Sequence, residues 1–204
     1  MAGTRVWPGM AALMIVAAAP ATAQMRLSPW IGLYAPTSDL GSVQAVEFGK
    51  KSSTLAYGAD LDFGARGLIG LRVGGGFASD SEVDFDDQSC VSCEIRATVL
   101  TATGAIVLRP LPLPGIRPYL VAGAGWKWYD FDFDGDVEDQ LEDQSNFTWQ
   151  GGLGVQFNPE GSLGLFAELS DFVSEFDFED GSTGITQHDL VLKAGVSLRL
   201  GGSR

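Results

Sequence analysis

Acidic residues at alternate positions are the first candidates for chemistry. Asp130, Asp132, Asp134, Gly135, Asp136 and Glu138 match the Asp-x-Asp-x-Asp-Gly opening of a calcium loop. Hard oxygen ligands at alternate positions, with a glycine for the sharp turn, are what a calcium ion requires. The match then fails, because the twelfth position is Leu141 and Glu142 comes one residue late. Phe131 and Phe133 fit a strand that carries the aspartates on its polar face. The competing expectation is divalent cations held loosely by a wider acidic rim. That rim includes Asp80, Glu82, Asp84, Asp86, Asp87, Glu175, Asp177 and Glu179. No other cofactor is expected.

His188 is the only histidine, and Asp189 follows it. Ser174 is placed to lie across from it on the preceding strand, so nucleophile, base and orienting acid could meet. Serine and aspartate are common on exposed rims, and a solvent-facing histidine is the simpler reading. No enzyme is expected. Cys90 and Cys93 are the only cysteines. In an exported chain they read as a local disulfide, and no nearby histidine completes a metal site. The glycine runs Gly74-Gly75-Gly76 and Gly151-Gly152 fall inside apolar alternating segments, where they relieve crowding and do not cradle phosphate.

These residues need elements to position them, and the dominant pattern is alternation at period two. Leu190, Leu192, Ala194, Val196, Leu198 and Leu200 form one face, opposite Asp189, Lys193, Gly195, Ser197 and Arg199. Only Val191 breaks the pattern. Similar segments cover residues 26–35, 53–64, 67–79, 94–108, 117–133, 147–157 and 163–173. In 94–108 the pattern is less clean, with Thr101 and Thr103 expected on the apolar face. In 117–133, an inward Lys127 gives Phe131 and Phe133 the wrong parity, so a β-bulge near Tyr129 is expected. Aromatic residues such as Trp30, Tyr34, Tyr57, Tyr119, Trp126, Trp149 and Phe157 sit near strand ends, as two interfacial girdles would require.

The connections alternate in length. Residues 65–67, 109–115 and 158–162 are short, whereas 37–52, 80–93, 134–146 and 174–187 are long, the last three rich in acids. Eight strands with this rhythm predict an all-β fold, an eight-stranded antiparallel up-and-down transmembrane β-barrel. No segment is apolar for long enough to cross a bilayer as a helix, while 45% of residues are hydrophobic and 27 are glycine. A closed barrel satisfies its backbone without long apolar runs.

Residues 1–23 read as a signal peptide. Arg5 is the positive charge, residues 10–19 form the apolar core, and Ala21-Thr22-Ala23 is the cleavage site. Residues 24–204 are then the barrel domain. The net charge of -13 excludes nucleic acid as a partner and favours cations. The expected location is the outer membrane of a Gram-negative bacterium. Its lipid and lipopolysaccharide are the expected surroundings, and the expected state is a monomer.

The chain resembles the OmpA/OmpX-type family of small outer-membrane β-barrels along the whole of residues 24–204. The resemblance rests on Ser28-Pro29-Trp30-Ile31-Gly32-Leu33-Tyr34, on Pro118-Tyr119-Leu120-Val121-Ala122-Gly123-Ala124-Gly125 and on Trp149-Gln150-Gly151-Gly152-Leu153-Gly154. The closing strand from His188 to Leu200 completes it. It implies insertion by the outer-membrane assembly machinery. It does not extend to the terminal aromatic residue that such machinery reads, since the chain closes on Gly201-Gly202-Ser203-Arg204.

Inside such a barrel the charges Asp60, Asp62, Arg72, Arg96, Lys127, Glu168, Lys193 and Arg199 face inward. An eight-stranded barrel is just wide enough for side chains to fill it, and buried charges must be paired. An ion-pair network that plugs the lumen, leaving a structural or surface-interaction role, is therefore expected. The alternatives are a narrow porin-like channel or a small-ligand-binding barrel. A soluble lipocalin-like barrel would instead face its apolar residues inward.

Overall fold

Strands with one apolar and one polar face hide both the wrong face and their edges only when the sheet closes on itself. The computed structural model describes residues 25–38, 41–43, 46–51, 53–85, 94–111, 113–134, 144–176 and 185–200. For those of 41–51, and for 80–85, 94–97, 131–134, 144, 176 and 185, it describes the backbone alone. The described strands are β1 (Met25–Pro36), β2 (Gly41–Val43), β3 (Val46–Lys51), β4 (Thr54–Phe63), β5 (Ile69–Phe85), β6 (Glu94–Leu108), β7 (Ile116–Asp134), β8 (Gln144–Phe157), β9 (Leu163–Phe176) and β10 (Ile185–Leu200).

Eight of them form the wall. Each pairs antiparallel with the next, β1 with β4, β4 with β5 and so on to β10, and β10 returns to β1. The barrel is closed and up-and-down. The two short strands β2 and β3 form a hairpin in the first long connection that leans on β5. The alternation in that connection was too short to predict them.

Facing is inverted relative to a soluble protein. Leu153 is 61% exposed and Leu192 55%, whereas Lys127 is 0% exposed and Glu168 1%. An apolar outer surface this continuous is a surface for lipid. The lipocalin-like alternative, with apolar residues inside, is excluded.

Three expectations about facing are corrected. β6 pairs with β7 in one unbroken register, from Glu94 opposite Asp134 to Leu108 opposite Leu120, so there is no bulge at Tyr129. The register shift lies instead between Ala78 and Ser81 of β5. Thr101 and Thr103 line the interior, and Leu100, Ile106 and Leu108 face outward. Both faces of β6 carry apolar residues, because Val99 and Val107 pack inside, Val107 with Ala105, Tyr119 and Val121. That hid the parity. Finally, Trp30, Tyr34 and Tyr119 are buried in the lumen and belong to no girdle. Glycines on neighbouring strands make room for them. A Cβ at Gly76 would lie 2.8 Å from the Trp30 ring, and one at Gly154 would lie 2.4 Å from that of Tyr119. Trp126, Phe147 and Trp149 do stay outside, stacked edge to face.

The three short connections each contain one residue with left-handed backbone: Gly64 (φ 68°), Gly115 (φ 75°) and Asn158 (φ 53°). Glycine takes this conformation without steric cost and asparagine at little. These residues set the tight turns at one end of the barrel.

Candidate functional site

The interior is built from the inward residues of all eight wall strands, and its charges gather in three layers. Farthest from the short turns, β7 supplies Lys127 and Tyr129, β9 supplies Ser174, and β10 supplies Gln187 and Asp189. The Lys127 ammonium donates to the Asp189 carboxylate and, at 3.3 Å, to the Ser174 hydroxyl. The Tyr129 hydroxyl donates to Gln187 Oε1 at 3.2 Å.

The middle layer is the densest. Arg72 on β5 forks onto Asp62, its cross-strand neighbour on β4, with Nε at 2.8 Å and Nη2 at 3.2 Å. Its Nη1 reaches Glu168 on β9 at 2.5 Å. Lys193, paired in register with Glu168, contacts that carboxylate at 3.1 Å and lies 3.7 Å from Asp60. The Tyr119 and Ser170 hydroxyls donate to Glu168 at 3.0 and 2.7 Å. The four donors at Glu168 and the bidentate arginine at Asp62 are what make burial of such charges tolerable, while Asp60 is held at ion-pair distance alone. Lys193 also sits over the Trp30 ring, 5.0 Å from its centroid, where a cation is attracted to the π face.

The third layer closes the short-turn end. Arg26 is buried and donates to Ser197 Oγ at 3.2 Å and to the Pro159 carbonyl at 2.5 Å. Arg109 is buried with Nη2 3.7 Å from Asp62. Burial lowers its pKa from the ordinary arginine value, more than Asp62 restores, and it remains a cation. Arg117 donates to the Glu160 carboxylate at 2.5 Å and to the Ala65 carbonyl at 3.2 Å.

The expected inward set therefore divides. Asp60, Asp62, Arg72, Glu168 and Lys193 come together in one cluster. Lys127 lies in a separate one. Arg199 does not belong to either: its guanidinium donates to the Glu160 backbone carbonyl at the exposed rim. The side chain of Arg96 lies outside the described residues, as do Cys90 and Cys93. Asp189, Arg26 and Arg109 were missed as members. The inward parity of Asp189 with Lys193 was legible, but its partner Lys127 sits on a strand that does not adjoin β10.

Two further candidates are corrected. His188 and Asp189 are successive strand residues and so point to opposite faces. Asp189 and Ser174 are inside, while His188 is outside, with Nδ1 2.9 Å from Asp171. The three cannot form a catalytic set. Asp130, Asp132 and Asp134 lie on β7, in register with Thr98, Arg96 and Glu94. An extended strand cannot wrap them around one ion as a calcium loop does. Asp136 and Glu138 lie outside the described residues, and no group of metal-ligating residues gathers among the described ones.

A closed, lipid-facing, eight-stranded barrel with a charged interior defines a small outer-membrane barrel. The family model for the outer membrane protein beta-barrel domain matches residues 9–199, and the chain belongs to that family. Among solved structures it is similar to the outer membrane protein OprG from Pseudomonas aeruginosa, with 12% identity and a TM-score of 0.62, over 88% of this chain and 97% of that one. It is also similar to Neisserial surface protein A, with 12% identity and a TM-score of 0.59 over 86% and 97%. A third is Ail, the attachment invasion locus protein of Yersinia pestis, in complex with a heparin analogue, with 16% identity and a TM-score of 0.50 over 86% and 99%. At such identities the shared property is the fold. A search of curated proteins gave no match. In barrels of this class the short turns face the periplasm and the long connections face outward.

Proposed function

We propose that the barrel is a closed structural and surface-interaction protein of the Gram-negative outer membrane, exported through a signal peptide cleaved after Ala23. The observation that carries this reading is the filled lumen. Its middle charges are almost fully buried and mutually paired, and the interior cavity beside Trp30, Asp60 and Lys193 measures about 20 Å³. That is room on the scale of a single water. In a barrel filled in this way, interaction falls to the long acidic connections, which would hold divalent cations beside lipopolysaccharide.

A narrow channel is the second reading. It is favoured by Trp30 Nε1 and Asp60 Oδ2, buried polar atoms on that cavity without hydrogen-bond partners. Planar-bilayer recording separates the two. The closed barrel gives no discrete conductance, in the wild type or in Arg72→Met. Regular unitary openings of the wild type, altered by Arg72→Met, would establish the channel instead.

A further inference from the structure

The charges of this chain are sorted along the barrel axis. Its net charge is -13, yet the short-turn end gathers Arg26, Arg66, Arg109, Arg117 and Arg199. Among the described residues the carboxylates that meet them are Asp62 and Glu160. Asp62 is already committed to the Arg72 fork. Among the described residues, the hydrogen bonds of buried Arg26 go to neutral acceptors. Arg109 keeps Nη1 buried with no hydrogen-bond partner, an arrangement that burial ordinarily penalises.

The turn 158–162 lies against this group like an internal ligand. Glu160 places one carboxylate oxygen 2.5 Å from Arg117 Nη2 and the other 3.7 Å from Arg66 Nε, while its side chain stays 63% exposed. One monovalent, solvent-exposed carboxylate therefore serves a mouth with a surplus of guanidinium forks. The planar fork matches the oxygens of a phosphate as well as those of a carboxylate, and phosphate offers more of both charge and acceptors.

We propose that the periplasmic mouth is a phosphate-binding site built by Arg66 and Arg117, with Glu160 as its resident competitor and buried Arg109 adding positive charge behind it. The phosphate can come from two sources that meet this end of the barrel. One is the headgroup of an anionic phospholipid in the inner leaflet, and the other is a free phosphate in the periplasm.

The test uses the mature chain folded in a phosphate-free maltoside detergent at physiological salt. Inorganic phosphate is titrated calorimetrically, and retention of phosphatidylglycerol is read by native mass spectrometry. Glu160→Gln should bind the responding probe about tenfold more tightly than wild type, and Arg117→Gln about tenfold more weakly. Arg66→Gln, at a half-exposed side chain, gives a second loss-of-binding variant that leaves the interior untouched. The heat-dependent gel shift confirms that each variant is folded. A response to inorganic phosphate identifies the soluble source. Retention of phosphatidylglycerol alone identifies the lipid headgroup. Absence of both, in wild type and in Glu160→Gln, overturns the proposal. So does binding that folded Arg66→Gln and Arg117→Gln leave unchanged.

Discussion

Lys127 is 0% exposed in the layer farthest from the short turns, and its ammonium is neutralised by Asp189. Removing one partner leaves a buried, unmatched ion, whereas removing both leaves an apolar gap that neighbours can fill. Lys127→Met should therefore destabilise the folded barrel by about 3–5 kcal/mol. Adding Asp189→Leu should recover most of that loss. Guanidinium unfolding in detergent micelles measures both. Equal losses in the single and double variants would mean that Lys127 stabilises by its packing and not by its charge. The same alternation separates His188 from Asp189: the strand sends one residue to the interior and the next to the outer surface.

At the level of the strand, what was legible depended on how different the two faces are. The closing strand reads directly, because Leu190, Leu192 and Ala194 alternate with Asp189 and Lys193. β6 does not, because Val99, Ala105 and Val107 are buried on one face while Leu100 and Ile106 are exposed on the other. Trp30 and Tyr34 misled for a related reason. An amphipathic ring suits an interface or a polar interior equally well, and the deciding residues lie on other strands. Gly58 and Gly76 supply the space for Trp30. Partners across the lumen, such as Lys127 and Asp189, depend on a register and curvature that no single segment states. The Trp30–Gly76 fit gives a measurable coupling. Gly76→Ala should cost about 1–3 kcal/mol by overpacking. In a Trp30→Leu background the same substitution should be nearly neutral, so the two effects should be clearly non-additive in unfolding experiments.

The whole molecule is a wall with lipid outside and charge within. Folded protein should resist carbonate extraction from outer membranes and should migrate differently on gels with and without boiling; a carbonate-soluble chain with no shift would remove the membrane assignment. The acid-rich long connections should also prevent retention on heparin, a polyanion, at physiological salt. Retention there would indicate that another surface dominates. The bond from Arg72 to Glu168 has one more consequence. In the circuit of eight strands, β5 and β9 are four steps apart in either direction, so this bond is a diametric strut. No hairpin, and no partly curled sheet, can make it. Until the last seam between β1 and β10 is drawn together, both ends of the strut face the wrong solvent. The charges inside thus favour the finished ring, since no open arc can make the bond that spans it.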